Sequence, residues 1–73
     1  MLYSEHSFWS PMFGAPAVRL SMVDDRGGEF WRVIERDQSA KRYREARDLV
    51  LDEIEAAISR GAEPGEVVGG ETR

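Results

Sequence analysis

Residues 40–60, AKRYREARDLVLDEIEAAISR, decide the fold, because they form the one long stretch with helical periodicity. At ~100° per residue, Tyr43, Ala46, Val50, Ile54 and Ala57 share one stripe, widened to one side by Ala40, Leu51 and Ile58. Leu49 is the apolar exception on the polar side. Asp37 or Ser39 can cap the start, Gly61 can take the left-handed position that ends a helix, and Pro64 forbids a restart. An amphipathic helix over Ala40–Arg60, laid on a core, is the expectation.

Its charges run against the helix dipole. Lys41, Arg42, Arg44 and Arg47 crowd the N-terminal half, and Asp48, Asp52, Glu53 and Glu55 fill the C-terminal half. The pairs Lys41 with Glu45 and Arg44 with Asp48 are also in the weaker i,i+4 order. Compensation from outside the helix is expected, from hairpin carboxylates such as Glu29 or Glu35, or from a partner.

N-terminal to the helix, Val18, Leu20 and Met22 alternate with Arg19 and Ser21, the pattern of a half-buried strand over Ala17–Val23. Asp24-Asp25-Arg26-Gly27-Gly28 reads as a turn, and Glu29–Glu35 as the returning strand. That second strand has large apolar residues on both faces: Phe30 and Ile34 on one, Trp31 and Val33 on the other. One helix covers one face. Either the N-terminal aromatics Phe8, Trp9 and Phe13 fold over Trp31 and Val33, which is the favoured expectation, or that face is an interface.

In residues 1–16, Pro11, Gly14 and Pro16 make a helix unfavourable, so a short strand over Leu2–Phe8 followed by a bent loop is expected. Residues 62–73 are rich in Pro, Gly and Glu and read as a flexible acidic tail, with Val67 and Val68 able to touch the helix end. The organisation expected is a single ββα-type domain over 1–61 followed by the tail over 62–73. The fold class is α+β: a two- or three-stranded antiparallel sheet built on the hairpin, with the helix across one face. The expected core is Val18, Leu20, Met22, Phe30, Ile34, Tyr43, Ala46, Val50, Ile54 and Ala57.

The 73 residues suffice for one small domain, and without cysteine there is no disulfide staple. Oligomerisation or a partner is then a natural source of added stability. The formal charge is −4, but unevenly spread: residues 1–47 carry +1 and residues 48–73 carry −5. No apolar run approaches a membrane span, and the interrupted N-terminus is unlike a signal peptide, so a cytoplasmic protein with no membrane partner is expected.

Catalytic chemistry finds little footing. His6 is the single imidazole, and Ser4, Ser7 and Ser10 surround it without a nucleophile elbow. Asp24 and Asp25 lack the remaining ligands of a calcium loop, and Gly27-Gly28 precedes no helix that could hold a phosphate. The chain reads as a non-enzyme with no catalytic residue, metal or cofactor.

Two kinds of binding surface remain. Asp48, Asp52, Glu53 and Glu55 could imitate a phosphate backbone and occupy a basic nucleic-acid groove on a larger protein. Trp9, Trp31 and Val33 could form an aromatic sheet face. Together they favour an acidic protein-binding module, an inhibitor or adaptor. Small phage and mobile-element inhibitors, including those that block CRISPR machinery, share this size and charge as a class. The alternatives are a nucleic-acid-binding domain using Arg36, Lys41, Arg42, Arg44 and Arg47, and a homodimer through the sheet face around Trp31.

Overall fold

The computed structural model describes residues 2–36 and 38–67. The order is β1 (Leu2–Ser10), β2 (Ala15–Val23), β3 (Glu29–Glu35), α1 (Ala40–Ser59) and β4 (Gly65–Glu66). The first three strands form an antiparallel meander, and β4 lies parallel to β3 at the far edge. The α+β class holds. The sheet, however, is four-stranded and mixed rather than two- or three-stranded and antiparallel.

The N-terminal segment is a full hairpin arm. β1 pairs with β2 without a break from Leu2↔Val23 to Ser10↔Ala15. Gly14, at φ 64, turns the chain while its N–H donates to the Ser10 carbonyl at 2.8 Å, and Ser10 Oγ accepts from Phe13 N–H at 3.2 Å. The segment therefore does not fold over Trp31 and Val33, because its backbone is committed to extending the sheet sideways. Pro16 is tolerated within β2 because its main chain faces β3 where that strand has ended, and its carbonyl accepts from Arg36 N–H at 2.9 Å.

The β2–β3 turn is organised by Asp24, whose Oδ1 accepts from the N–H groups of Arg26 (3.0 Å) and Gly28 (2.8 Å). Gly28 must stay small, since a Cβ there would stand 2.6 Å from Pro64 Cγ. This close approach lets the chain after the helix run beside β3.

Paired residues share a face, so Val18, Leu20 and Met22 of β2 lie with Phe30, Arg32 and Ile34 of β3 under α1. Val50, Ile54 and Ala57 complete the buried core, with Tyr43, Ala46, Leu51 and Ile58 packed at its margin. Leu49 is exposed. Ser39 caps α1, its Oγ accepting from Arg42 N–H at 3.2 Å. At the other end Gly61 has φ 76, and the N–H groups of Gly61 and Ala62 return to the carbonyls of Ile58 (3.1 Å) and Ala57 (3.0 Å). Asp37, the other candidate cap, and Val68 lie outside the described residues.

Two expectations fail here. Glu29 and Glu35 do not compensate the helix charges, because both side chains belong to the sheet face turned away from α1. Glu29 instead pairs with Arg19 at 2.8 Å, while the helix draws its contact from Arg32, which bonds Glu53 from below. Nor is the chain after Gly61 a tail throughout. Val67 is 7% exposed in the core, and its N–H donates to the Trp31 carbonyl at 2.8 Å. Burying Val67 against Phe30 and the helix end is what orders a stretch whose composition alone favours none.

Truncating Leu20 or Ile54 to Ala is expected to cost about 2–5 kcal/mol. Val67→Ala separates tail from core: at about 0.8 kcal/mol per buried methylene, a loss of roughly 1.5 kcal/mol is expected. Denaturant titration reads it, and an unchanged midpoint would place Val67 outside the core.

Candidate functional site

Three surfaces carry side chains that the core does not absorb. The first is the open sheet face, which presents Leu2, Ser4, His6 and Phe8 of β1, Ala17, Arg19 and Ser21 of β2, and Trp31 and Val33 of β3. It is not bare. Arg19 lays its guanidinium over the Trp31 ring at 4.6 Å and bonds Glu29, Phe8 stacks with His6, and the Ser4 and Ser21 hydroxyls meet at 2.7 Å. The Arg19 bond holds the Glu29 carboxyl below the usual carboxylate range. Trp31 and Val33 are half-buried by these neighbours.

Trp9 does not join them. It pairs with Pro16 and falls on the same side as Tyr3, Glu5 and Ser7, the helix side, because strand residues alternate. The group Trp9, Trp31 and Val33 is therefore split across the sheet.

The four acidic residues are divided as well. Asp48, Asp52 and Glu55 are exposed along one line of α1, with Asp48 3.5 Å from the Arg47 guanidinium. Glu53 points to the sheet and is engaged by Arg32. Three of the four remain on a common surface.

The basic set gives the second surface. Arg36, Arg44 and Arg47 line one cleft of about 400 Å³ with Gln38, Ala40 and Tyr43. Arg36 stands 5.4 Å over the Tyr43 ring, and its Nη1 donates to Ser7 Oγ at 3.3 Å. Lys41 and Arg42 are exposed on other parts of the helix and do not line the cleft. A second cleft of about 350 Å³ lies at the opposite end, beside Asp24, Asp25, Phe30 and Pro64. Asp24 is already engaged by its own turn. Among the described residues no group of three or more His, Cys, Asp or Glu is placed to hold a metal ion.

The third surface is the first hairpin itself, where apolar residues of the outer strand and the tip do not pack on the domain. Among the described residues the exposed large apolar ones are Leu2, Tyr3, Trp9, Met12, Phe13 and Leu49, and all but Leu49 lie on the first hairpin. Met12 is 89% exposed and Trp9 65%. The signal was present as Ser10-Pro11-Met12-Phe13-Gly14, a turn sequence whose central residues are apolar where turns are ordinarily polar. This tip stands at the same end as the arginine cleft, since Trp9 pairs with Pro16 and Pro16 is bonded to Arg36.

Comparison with known proteins finds no matching family model, no matching curated protein and no matching solved structure. Among the described residues no helix is long and apolar enough to cross a membrane.

Beside the cleft, Tyr3 bonds the Glu5 carboxylate, and the Tyr43 hydroxyl is buried without a hydrogen-bond partner among the described residues. Desolvation and then the Glu5 hydrogen bond raise the Tyr3 phenol; burial and then the Glu5 charge raise Tyr43. These are the chain's two tyrosines, so tyrosinate absorbance reports them directly. Both are expected to ionise above the ordinary value of 10.0, and Glu5→Gln to bring both midpoints down. The folded state holds these protons more tightly than the unfolded chain. Their contribution to stability is thus complete below about pH 10 and is lost as pH rises through the folded values. Normal titration of both phenols would remove the Glu5 contact.

Proposed function

We propose that the protein is a small non-catalytic binding module, an inhibitor or adaptor that docks on a larger protein through the tip of its first hairpin. The supporting observation is the concentration of exposed apolar side chains at Trp9, Met12 and Phe13. Side chains of this kind are enriched where interfaces bury their centres. The neighbouring Arg36, Arg44 and Arg47 give this end a positive rim, so the fitting partner offers an apolar pocket edged with acidic groups. The exposed line of Asp48, Asp52 and Glu55 then steers orientation rather than forming the contact.

A second reading is favoured by one feature: aromatic side chains and an arginine-lined cleft share one end of the molecule, an arrangement that can stack bases and hold phosphates of a single-stranded nucleic acid. The acidic C-terminal half of the chain opposes it.

Capture from cell lysate on tagged protein, with and without nuclease, tests both. The expected result is a protein retained after nuclease, lost with Met12→Ser/Phe13→Ser and kept with Asp52→Lys/Glu55→Lys. The tip variant should unfold within about 0.5 kcal/mol of the parent, as surface substitutions do. Retention that vanishes with nuclease, and with Arg44→Glu/Arg47→Glu, would transfer the function to nucleic acid.

A further inference from the structure

The outer edge of β1 has a chemistry of its own. Pro16 O accepts from Arg36 N–H, and Val67 N–H bonds Trp31 O, so even-numbered residues of β2 turn their main chain toward β3 and odd-numbered ones toward β1. The partners of those odd residues are the even residues of β1. Tyr3, Glu5, Ser7 and Trp9 therefore aim their N–H and C=O groups outward, away from the sheet.

Long free edges are ordinarily guarded by lysine, proline, a bulge or shortness. The opposite edge is guarded: β4 has two residues and follows Pro64. β1 has nine residues, no Lys, Arg, Pro or Gly, and an unbroken register. Its single inhibiting feature is the Glu5 charge.

We propose that β1 pairs antiparallel with β1 of a second copy about a two-fold axis at His6, joining two sheets into one. The outward set is odd-numbered, so opposed residues must have the same parity, and the register with full overlap sets Tyr3 against Trp9, Glu5 against Ser7, and His6 against His6. This register answers the Glu5 charge. Arg36 already touches Ser7 Oγ at 3.3 Å, so Glu5 of the second copy, arriving opposite Ser7, meets the Arg36 guanidinium, and symmetry repeats the pair. It also buries two aromatic side chains that are exposed in the single chain, Tyr3 and Trp9, against each other.

The pairing takes Trp9 and the Arg36 side chain from the docking end proposed above but leaves Met12, Phe13 and the Trp31 face free, and its readout, the oligomeric state, is separate from retention of a partner. It also builds something the single chain lacks. α1 packs over β2 and β3 and stands off from the main chain of β1, whose helix side is reached by side chains such as Arg36 at Ser7. In the pair, the two helices stand on one side of the joined sheet, flanking a trough floored by Tyr3, Glu5, Ser7 and Trp9 from both copies. Each wall of that trough carries one arginine cleft.

Sedimentation equilibrium of the full chain is expected to give a concentration-dependent dimer of the 8.3 kDa protomer. Arg36→Glu should weaken it roughly tenfold, as loss of a close ion pair does, and Glu5→Arg/Arg36→Glu should restore it. Ser7→Pro removes one outward N–H while sparing the ladder to β2, and is expected to yield a folded monomer. The chain lacks cysteine, so His6→Cys reads the axis directly. A non-hydrogen-bonded pair sets Cα atoms about 4.5 Å apart, within disulfide range, and mild oxidation should give a covalent dimer. Leu49→Cys, on the exposed side of α1, should not crosslink. A strict monomer at the highest soluble concentration overturns the proposal. So does a dimer that ignores the charge exchange and leaves His6→Cys unlinked, which would move the interface to another surface.

Discussion

A helix with its side chains is about 10–12 Å across, and neighbouring strands lie about 4.8 Å apart. One helix can therefore cover little more than two strands, and the described residues form one helix and four strands. α1 spends its apolar stripe on β2 and β3, where Val50, Ile54 and Ala57 meet Leu20, Phe30 and Ile34. β4 is short enough to be closed by a single valine. β1, with nine residues, stays outside the helix footprint, and its helix-side residues are left to polar contacts such as Tyr3 with Glu5 and Ser7 with Arg36.

The same constraint accounts for where the charges settle. Arg32 lies on the covered face of β3, where an unpaired guanidinium would be costly, and Glu53 descends from the helix to meet it. On the uncovered face Arg19 performs a different task, spreading over Trp31 so that an aromatic ring on the solvent side needs neither a partner nor a second layer. The reversed order of charges along α1 thus has two parts. Its acidic half turns one half-buried residue, Glu53, down onto the sheet, and its basic half opens with Arg36 into a cleft that Tyr43 floors.

Much of this was legible in the residue pattern, and the limits have physical causes. The helix, the stripe centred on Val50, the Gly61 stop and the Ala17–Glu35 hairpin follow from local periodicity and turn chemistry, which a sequence displays directly. β4 was hidden because Gly65-Glu66 has no strand preference; it is a strand only because the helix returns the chain to the edge of β3. The face of Trp9 is hidden in the sequence because Ser10-Pro11 has the residues of a bend, whereas the strand runs through Ser10 and parity fixes the side. Of the candidate sites, Arg36, Arg44 and Arg47 converge, while Lys41 and Arg42 diverge around the same helix. The Arg19 cover on Trp31 is a lateral contact between strands, which only the register reveals.

The placement of Val67 has a bearing on how the molecule assembles. The three meander strands are joined by short turns and can pair early, whereas the parallel partner of β3 arrives only after the whole of α1 has formed and docked. Until then β3, with Phe30, Trp31, Val33 and Ile34 in one short run, has an open and strongly apolar edge. The slowest contact to close is thus the one that shields the most adhesive strand. During folding, the speed of helix docking sets how long each chain stays vulnerable to its neighbours.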